Sequence, residues 1–417
     1  MKRTIIAFCL VWLCSSLLYS QNLPYVKSMI DTLASPEFYG RGYVNNGDKI
    51  AAAFIAKQLK KDKVKCFDTS YFQTFHVNVN TFPDDVTIKI NGVDKQPGVD
   101  FMVSPDAQTM KDSYKVLFAD GNTLSSEKLT KKFNNQNLSK LALVVDTGFK
   151  DLKNKKLEET PLLVFIRDKG ISWHVAKEQN EKKHAEITIN RSALPAKISN
   201  IAVNIHAKLL SNYPSQNVVG YLPGKIYPDS FVVFGAHYDH LGMMGSKAYF
   251  PGANDNASGT AMLLDLAAYY AQPENRPDYS VCFIFFSCEE AGLVGSEYYT
   301  KFPLFPLRKI KFMLNLDMVG TGSDGIKVVN GSIFKKDFET LKQLNEAGKY
   351  LKSVNERGEA ANSDHYHFYK KGVKSFFIYT LGSEYKEYHT VTDKAAGLPL
   401  TKYPELFNLV LRFVGSL

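Results

Sequence analysis

The chain has 417 residues, 45% of them apolar and 13% aromatic, enough to bury a large core in two domains or in one domain with an insert. Its formal net charge is +9, but the basic residues are dispersed. KKFNNQNLSK and KNKKLEE read as solvated loops or helix faces, so the charge argues for no nucleic-acid surface.

Lys2 and Arg3 precede an apolar stretch from Thr4 to Leu18, closed by Tyr19-Ser20-Gln21. This is the pattern of a secretory signal over residues 1–20, cleaved near Ser20, and it implies a secreted or periplasmic protein. The stretch is too short and too quickly polar to span a bilayer, and no second one is long enough. Of the five cysteines, Cys9 and Cys14 leave with the leader. Cys66, Cys282 and Cys288 remain, an odd number that excludes a disulfide scaffold. Cys282 and Cys288 share one apolar run and one strand parity. They are expected on one face, too far apart to bridge, as buried free thiols.

Residues 24–62 read as largely helical, with Asp48 as the N-cap of DKIAAAFIAKQLKK. Across 81–210, short alternating runs such as DVTIKING, SYKVLFAD, LALVVDT, PLLVFIRD and AEITINRS predict strands. They suggest a smaller β-rich insert at 100–200, resembling a protease-associated insert only loosely, with 21–99 and 201–417 forming the main domain. From 215 the pattern repeats strand then helix: DSFVVFGAH, ASGTAMLLDLAAYYAQ, YSVCFIFFS, KFMLNLDM and KSFFIYT, with helices in FETLKQLNEAGKYL and PELFNLVLRFVGSL. The continuous apolar runs are those of strands covered on both faces. The predicted fold is α/β, a mostly parallel central sheet flanked by helices, and such sheets form sites beyond the carboxyl ends of their strands.

Chemistry-bearing residues fall at those ends: His237 in GAHYDH, Glu289–Glu290 in FSCEE and Asp317 in NLDMVG, joined by Asp255 in GANDN and His389 in YHTVTD. Two imidazoles and three carboxylates suffice to hold a pair of zinc ions, and the remaining glutamate is free to act as a base. In an extended segment Asp239 faces the same side as His237 and can accept its second imidazole N–H. Taken singly each residue has a plain reading: a surface His, a helix cap at Asp255, a solvated acidic turn at Glu289–Glu290, a strand-end turn at Asp317. Their order and local settings favour a common site.

In AHYDHLG, PGANDNASGTA, EEAGLVGS, NLDMVG, SDHYHF and YHTVTD, in that order, the chain resembles the M28 family of zinc aminopeptidases, closely over 215–395 and again at LASPEFYGRG. The resemblance implies one zinc held by His237 and Asp317, another held by Glu290 and His389, and Asp255 bridging both. It further implies Glu289 as general base, Asp239 as the partner of His237, Tyr388 set against the scissile carbonyl, and Asp364 near the pocket. His240, His365 and His367 are expected to be non-ligands, and peptides to be the substrates. A glutaminyl cyclase on the same fold is an alternative, disfavoured by Tyr388, where those enzymes carry Trp, and by the ANDNASG turn. A carboxypeptidase and a non-catalytic peptide-binding protein also stay open, as do the preferred residue and the oligomeric state.

Overall fold

The computed structural model describes residues 21–119, 137–146, 160–181 and 184–417; the expected leader lies outside them. The described chain opens with helix α1 (Leu23–Leu33), capped by Asn22, whose side chain accepts from the Tyr25 amide. Helix α2 spans Gly47–Lys61 and is preceded by Asn46. Asp48 does not cap it. The residue lies in the first turn, fully buried, and accepts from the Tyr213 hydroxyl at 2.8 Å and the Ser215 hydroxyl at 3.1 Å. Burial raises its pKa to about 6 although both hydroxyls favour the charged form. An N-cap prediction reads only local spacing; here a tertiary contact uses the same carboxylate.

Strand β1 (Phe72–Thr81) leads into a second sheet made of β2 (Val86–Ile90), β3 (Val93–Lys95), β4 (Phe101–Val103), β5 (Met110–Ala119), β6 (Leu141–Val145), β7 (Leu162–Arg167), β8 (Ala185–Asn190) and β9 (Asn200–Ile205). The chain then returns through β10 (Lys208–Leu222) and β11 (Tyr227–His237). After a short ribbon, β12 (Met243–Met244) with β13 (Ala248–Tyr249), the remaining strands are β14 (Tyr279–Phe286), β15 (Ile310–Leu316), β16 (Gly325–Val329), β17 (Val354–Arg357) and β18 (Ser375–Leu381). Interleaved helices are α3 (Gly259–Ala271), α4 (Val294–Lys301), α5 (Lys335–Gly348), α6 (His365–Lys370) and α7 (Tyr403–Val414).

The central sheet runs β1-β10-β14-β11-β15-β18-β16-β17. Its middle, β14-β11-β15-β18, is parallel, but β1, β10 and the β18–β16 pair are antiparallel. The fold is the expected α/β class, with a mixed sheet that is parallel where the site forms. Hydrophobic periodicity does not encode strand direction, so the antiparallel margins leave no sequence signal. Successive residues of the inner strands face opposite layers. Val232 and Phe234 pack with Ile55, Leu264 and Phe407 under α1, α2, α3 and α7. Phe231 and Val233 pack with Tyr299 and Phe368 under α4 and α6.

The two cysteines part company. Cys282 belongs to the α4–α6 side, whereas Cys288 lies past the end of β14 at φ +59° and packs with Tyr43, Phe75 and Val77. Both are buried free thiols, as is fitting for small apolar-packing groups, but the shared parity expected of them ends with the strand.

The second sheet, order β3-β2-β9-β5-β6-β7-β8-β4, has its own core of alternating valines and isoleucines. Its strands lie between Val86 and Ile205. It docks through Trp173, which stacks on Phe250 with ring centroids 4.9 Å apart, while its indole N–H donates to the Val103 carbonyl at 2.8 Å. No described helix is long and apolar enough to cross a membrane.

Candidate metal centre

Parallel register builds the site. His237, last residue of β11, pairs with Phe286, and Gly235 pairs with Asn315. Three and four residues beyond Phe286 come Glu289 and Glu290; two beyond Asn315 comes Asp317. The chain ends of three adjacent strands therefore deliver their polar residues to one place.

Asp255 arrives on the turn that precedes α3. Gly252 sits there at φ +60°, and a Cβ would stand 2.3 Å from the Asp255 carbonyl and 2.5 Å from Arg41 Nη2, so only glycine fits. The flanking asparagines stitch this turn to the Asp317 loop. Asn256 Oδ1 accepts from the amides of Gly259 (2.8 Å) and Met318 (3.3 Å), and Asn254 Oδ1 accepts from Gly320 (2.9 Å). Asp393 accepts from the amides of Asn254 (2.9 Å) and Asp255 (3.1 Å) and from the Tyr385 hydroxyl (2.8 Å).

Arg41 clamps the whole assembly. It is completely buried and donates to five carbonyls: Tyr238 (2.7 Å), Leu33 (2.9 Å), Pro251 (2.6 Å), Gly252 (2.7 Å) and Asp255 (3.2 Å). Burial pulls its pKa down to about 10, opposed by the charges of Asp393, Asp255, Asp239 and Glu290.

The five expected ligands converge. His237 Nε2 lies 3.3 Å from Asp255 Oδ1 and 3.4 Å from Asp317 Oδ1. His389 Nε2 lies 3.1 Å from Asp255 Oδ2 and 3.3 Å from Glu290 Oε2. All five are buried or nearly so. Two donors each about 2.0–2.1 Å from one tetrahedral zinc stand about 3.3 Å apart, so both groups have the spacing of a zinc ligand set. Asp317 Oδ1 is moreover a buried oxygen with no hydrogen-bond donor, while its Oδ2 is fixed by the Ser363 hydroxyl at 2.8 Å. The donor set therefore fits zinc.

Electrostatics agree with a site built for cations. Burial opposes charge on His237, yet Asp317 and Glu289, followed by Asp239 and Asp255, hold its imidazole well above the usual value. His389 is likewise raised, to about 11, by Glu290 and Asp255 against burial. Glu290, despite burial and the nearby Asp255, is lowered to about 2 by His389 and His240. Protons on the imidazoles occupy the place of metal, so loading the site means displacing them, and affinity must fall in acid.

Around the ligands lies a ring of supports. The Asp239 carboxylate accepts from the backbone amides of Glu289 (3.1 Å) and Glu290 (3.3 Å), and so orients the two glutamates together. For the His237 Nδ1 the nearer acceptor is the Asp239 carbonyl at 3.2 Å; the carboxylate stands at 3.7 Å. His240 meets Glu290 Oε1 at 2.8 Å, on the oxygen opposite the one facing His389. It flanks the cluster as Glu290's partner, though its ring also reaches the group formed with Asp255. His174 meets His389 Nδ1 to Nδ1 at 3.2 Å, and the Trp173 amide donates to the His389 carbonyl at 3.0 Å. Such partners fix imidazole tautomer and ring orientation.

A Glu289 oxygen lies within 4.8 Å of donor atoms of both His237 and Glu290. Burial, aided by Glu290, Asp364 and Asp317, raises its carboxyl well above the carboxylate range. Tyr388 stacks on His389 with ring centroids 3.9 Å apart and is 47% exposed; burial of the hydroxyl, with Asp255 and Glu290 near, keeps the phenol protonated. A cavity of ≈ 250 Å³ opens from His237, Asp255, Glu289, Asp317 and His389 toward Met318, Arg357, Asn362, Phe377, Tyr379 and Tyr388. Asp364 does not line it. It is fully buried, and burial lifts its pKa to about 7 against the opposing pull of His237 and Ser296. His365 is buried against Phe377. His367, at a helix end, keeps clear of the donor groups that could hold a metal among the described residues.

Sequence reasoning gave Arg41, His174, Arg357 and Asp393 no part in this neighbourhood, and took His240 only as a non-ligand. Arg41 and Asp393 sat inside strings already singled out, GRG and YHTVTD. His174 and Arg357 carried no local signal.

A cluster of candidate ligands at the carboxyl ends of parallel strands, with a separate, partly buried glutamate beside it, defines a metallopeptidase site. Residues 217–414, a little under half of the chain, match the model of Peptidase family M28. Aminopeptidase YwaD of Bacillus subtilis (strain 168) is 29% identical over 211 residues, 49% of this chain and 45% of that protein. A probable leucine aminopeptidase of Trichophyton verrucosum is 31% identical over 225 residues, 50% of this chain and 58% of the relative. The chain thus spans about half the length of the curated relatives it matches. Among solved structures, BSAP, a zinc aminopeptidase from Bacillus subtilis, superposes with a TM-score of 0.67 at 21% identity, covering 94% of each chain. The aminopeptidase from Aneurinibacillus sp. strain AM-1 gives 0.61 at 19%, covering 95% of this chain and 93% of that one. These likenesses extend the shared fold over nearly the whole chain, second sheet included.

Proposed function

We propose that the protein is an exported di-zinc aminopeptidase that removes single residues from the N-termini of peptides. The observation that carries this reading is the split of one carboxylate: Asp255 Oδ1 faces His237 Nε2 at 3.3 Å and Oδ2 faces His389 Nε2 at 3.1 Å. His237 and Asp317 would hold one ion, Glu290 and His389 the other, and Asp255 both. Zinc bound there supplies Lewis acidity toward a peptide carbonyl and toward water. Glu289, buried and of raised basicity, takes a proton from the attacking water as its oxygen adds to the carbonyl carbon. It then returns that proton to the departing amine nitrogen as the C–N bond breaks. Tyr388, protonated at the cavity wall, donates to the carbonyl oxygen as charge develops on it. The acidic groups receive the substrate's free α-ammonium, which places the cut at the first residue. Export rests on the expected leader at 1–20.

Asp255→Asn should lose tight binding of both ions, because a neutral amide is a poor bridge between two cations. Metal content after dialysis measures this, and two retained zincs would contradict the bridging role. Product analysis tests the reaction itself. A free peptide should release its first residue, and its N-acetylated form should be a poor substrate. Ammonia loss from an N-terminal Gln peptide without amino-acid release would mark a cyclase. Release of the last residue would mark a carboxypeptidase.

A further inference from the structure

The cavity at the metal centre is lined by carboxylates at one end and by a single guanidinium at the other. Arg357 closes β17, the edge strand of the central sheet. Its register runs Arg357↔Val329↔Phe377 across three neighbouring strands. Directly paired residues share a face, so Arg357 rises on the side that carries Phe377 and, two residues on, Tyr379. The side chains agree: Arg357 Nη1 donates to Tyr379 Oη at 3.4 Å, and all three line the cavity.

What this guanidinium lacks is a counter-charge. Among the described residues Arg357 has no carboxylate partner, only the neutral phenol. The contrast with Arg191, whose guanidinium is held by both Asp146 and Asp168, is direct. Nor does it act as an internal clamp like Arg41, since it stands exposed at the cavity wall. The rest of that wall, Met318, Phe377, Tyr379 and Asn362, is apolar or neutral. A planar donor fork at the end of a short, otherwise neutral pocket matches a carboxylate in shape and charge.

We propose that Arg357 sets the specificity of this site, receiving the side-chain carboxylate of an acidic first residue. This rests on the aminopeptidase reading above and adds the substrate class to it: peptides that begin with Asp or Glu. The substrate's ammonium then faces the acidic end of the cavity and its side-chain carboxylate faces Arg357.

Glutamyl- and glutaminyl-anilides differ only in that carboxylate and carry no C-terminal one. With the zinc-loaded full chain, kcat/KM for the glutamyl substrate should exceed that for the glutaminyl one by about 10–100-fold, the size of a charge-assisted pair. Arg357→Met should bring this ratio close to one, and Arg357→Lys should retain part of it. Because the ratio is taken within one protein, differences in folding or metal content cancel. Calorimetric binding of free glutamate against free glutamine reads the same preference without turnover, so absent peptidase activity would count against the aminopeptidase reading and not against Arg357. A wild-type ratio near one in both measurements overturns the proposal, as does a glutamyl preference that survives Arg357→Met. A leucyl dipeptide and its C-terminal amide form the last arm. If Arg357→Met removes a preference for the free acid while leaving the glutamyl ratio intact, the carboxylate being read is C-terminal and the proposal fails.

Discussion

Glu289→Gln should retain its metal and lose about 10²–10⁴ in kcat, the usual range for removing a general base. Glutamine keeps the shape of the side chain but cannot take a proton from water or return it to the amine. Burial, aided by Glu290, Asp364 and Asp317, holds the proton affinity of the carboxylate high, and no ion-pair distance joins it to the groups around His237 or His389. Metal content and KM should therefore stay near wild type while kcat falls. A variant with full zinc and near-normal kcat would remove Glu289 from the reaction.

Arg41→Met should destabilise the protein by about 3–5 kcal/mol, the cost of leaving buried polar partners unpaired. Five carbonyls each lose a donor at once, that of Gly252 keeping a second one from the Ala257 amide, and the side chain they surround has 0% exposure. Total stabilities of domains are only about 5–15 kcal/mol, so the variant should unfold at a far lower urea concentration. Arg41→Lys should fall between the two, since one ammonium offers three donors against five acceptors. Two of the released carbonyls, of Gly252 and Asp255, belong to the turn that presents Asp255. Zinc affinity should therefore drop along with stability. An unfolding midpoint like that of wild type would show that the clamp is dispensable.

The convergence of the five expected ligand positions was legible because each combines a local signal with a general rule. An apolar run that stops at His, Glu or Asp marks the end of a buried strand, and parallel sheets gather those ends. What was illegible acts at a distance. Arg41 binds carbonyls some 200 residues away in sequence, and a backbone carbonyl has no residue identity to read. Asp48 looked like a cap because capping is local; its true partners, Tyr213 and Ser215, lie on β10. The parity linking Cys282 to Cys288 failed because β14 ends at Phe286 and the chain turns before Cys288. The antiparallel margins of the central sheet were hidden for a related reason, since an apolar strand reads the same in either direction.

His389 is not held by its own surroundings alone. One face of its ring carries Tyr388, its carbonyl takes the Trp173 amide, and its second nitrogen rests on His174. Trp173 and His174 belong to the stretch between β7 and β8, on the second sheet's side of the molecule. That sheet is therefore part of the jig in which the reactive centre is assembled. Excising it, or grafting another in its place, would leave His237 and Asp317 on their strands. The same operation would set His389 adrift, so the two halves of the cluster would loosen unequally.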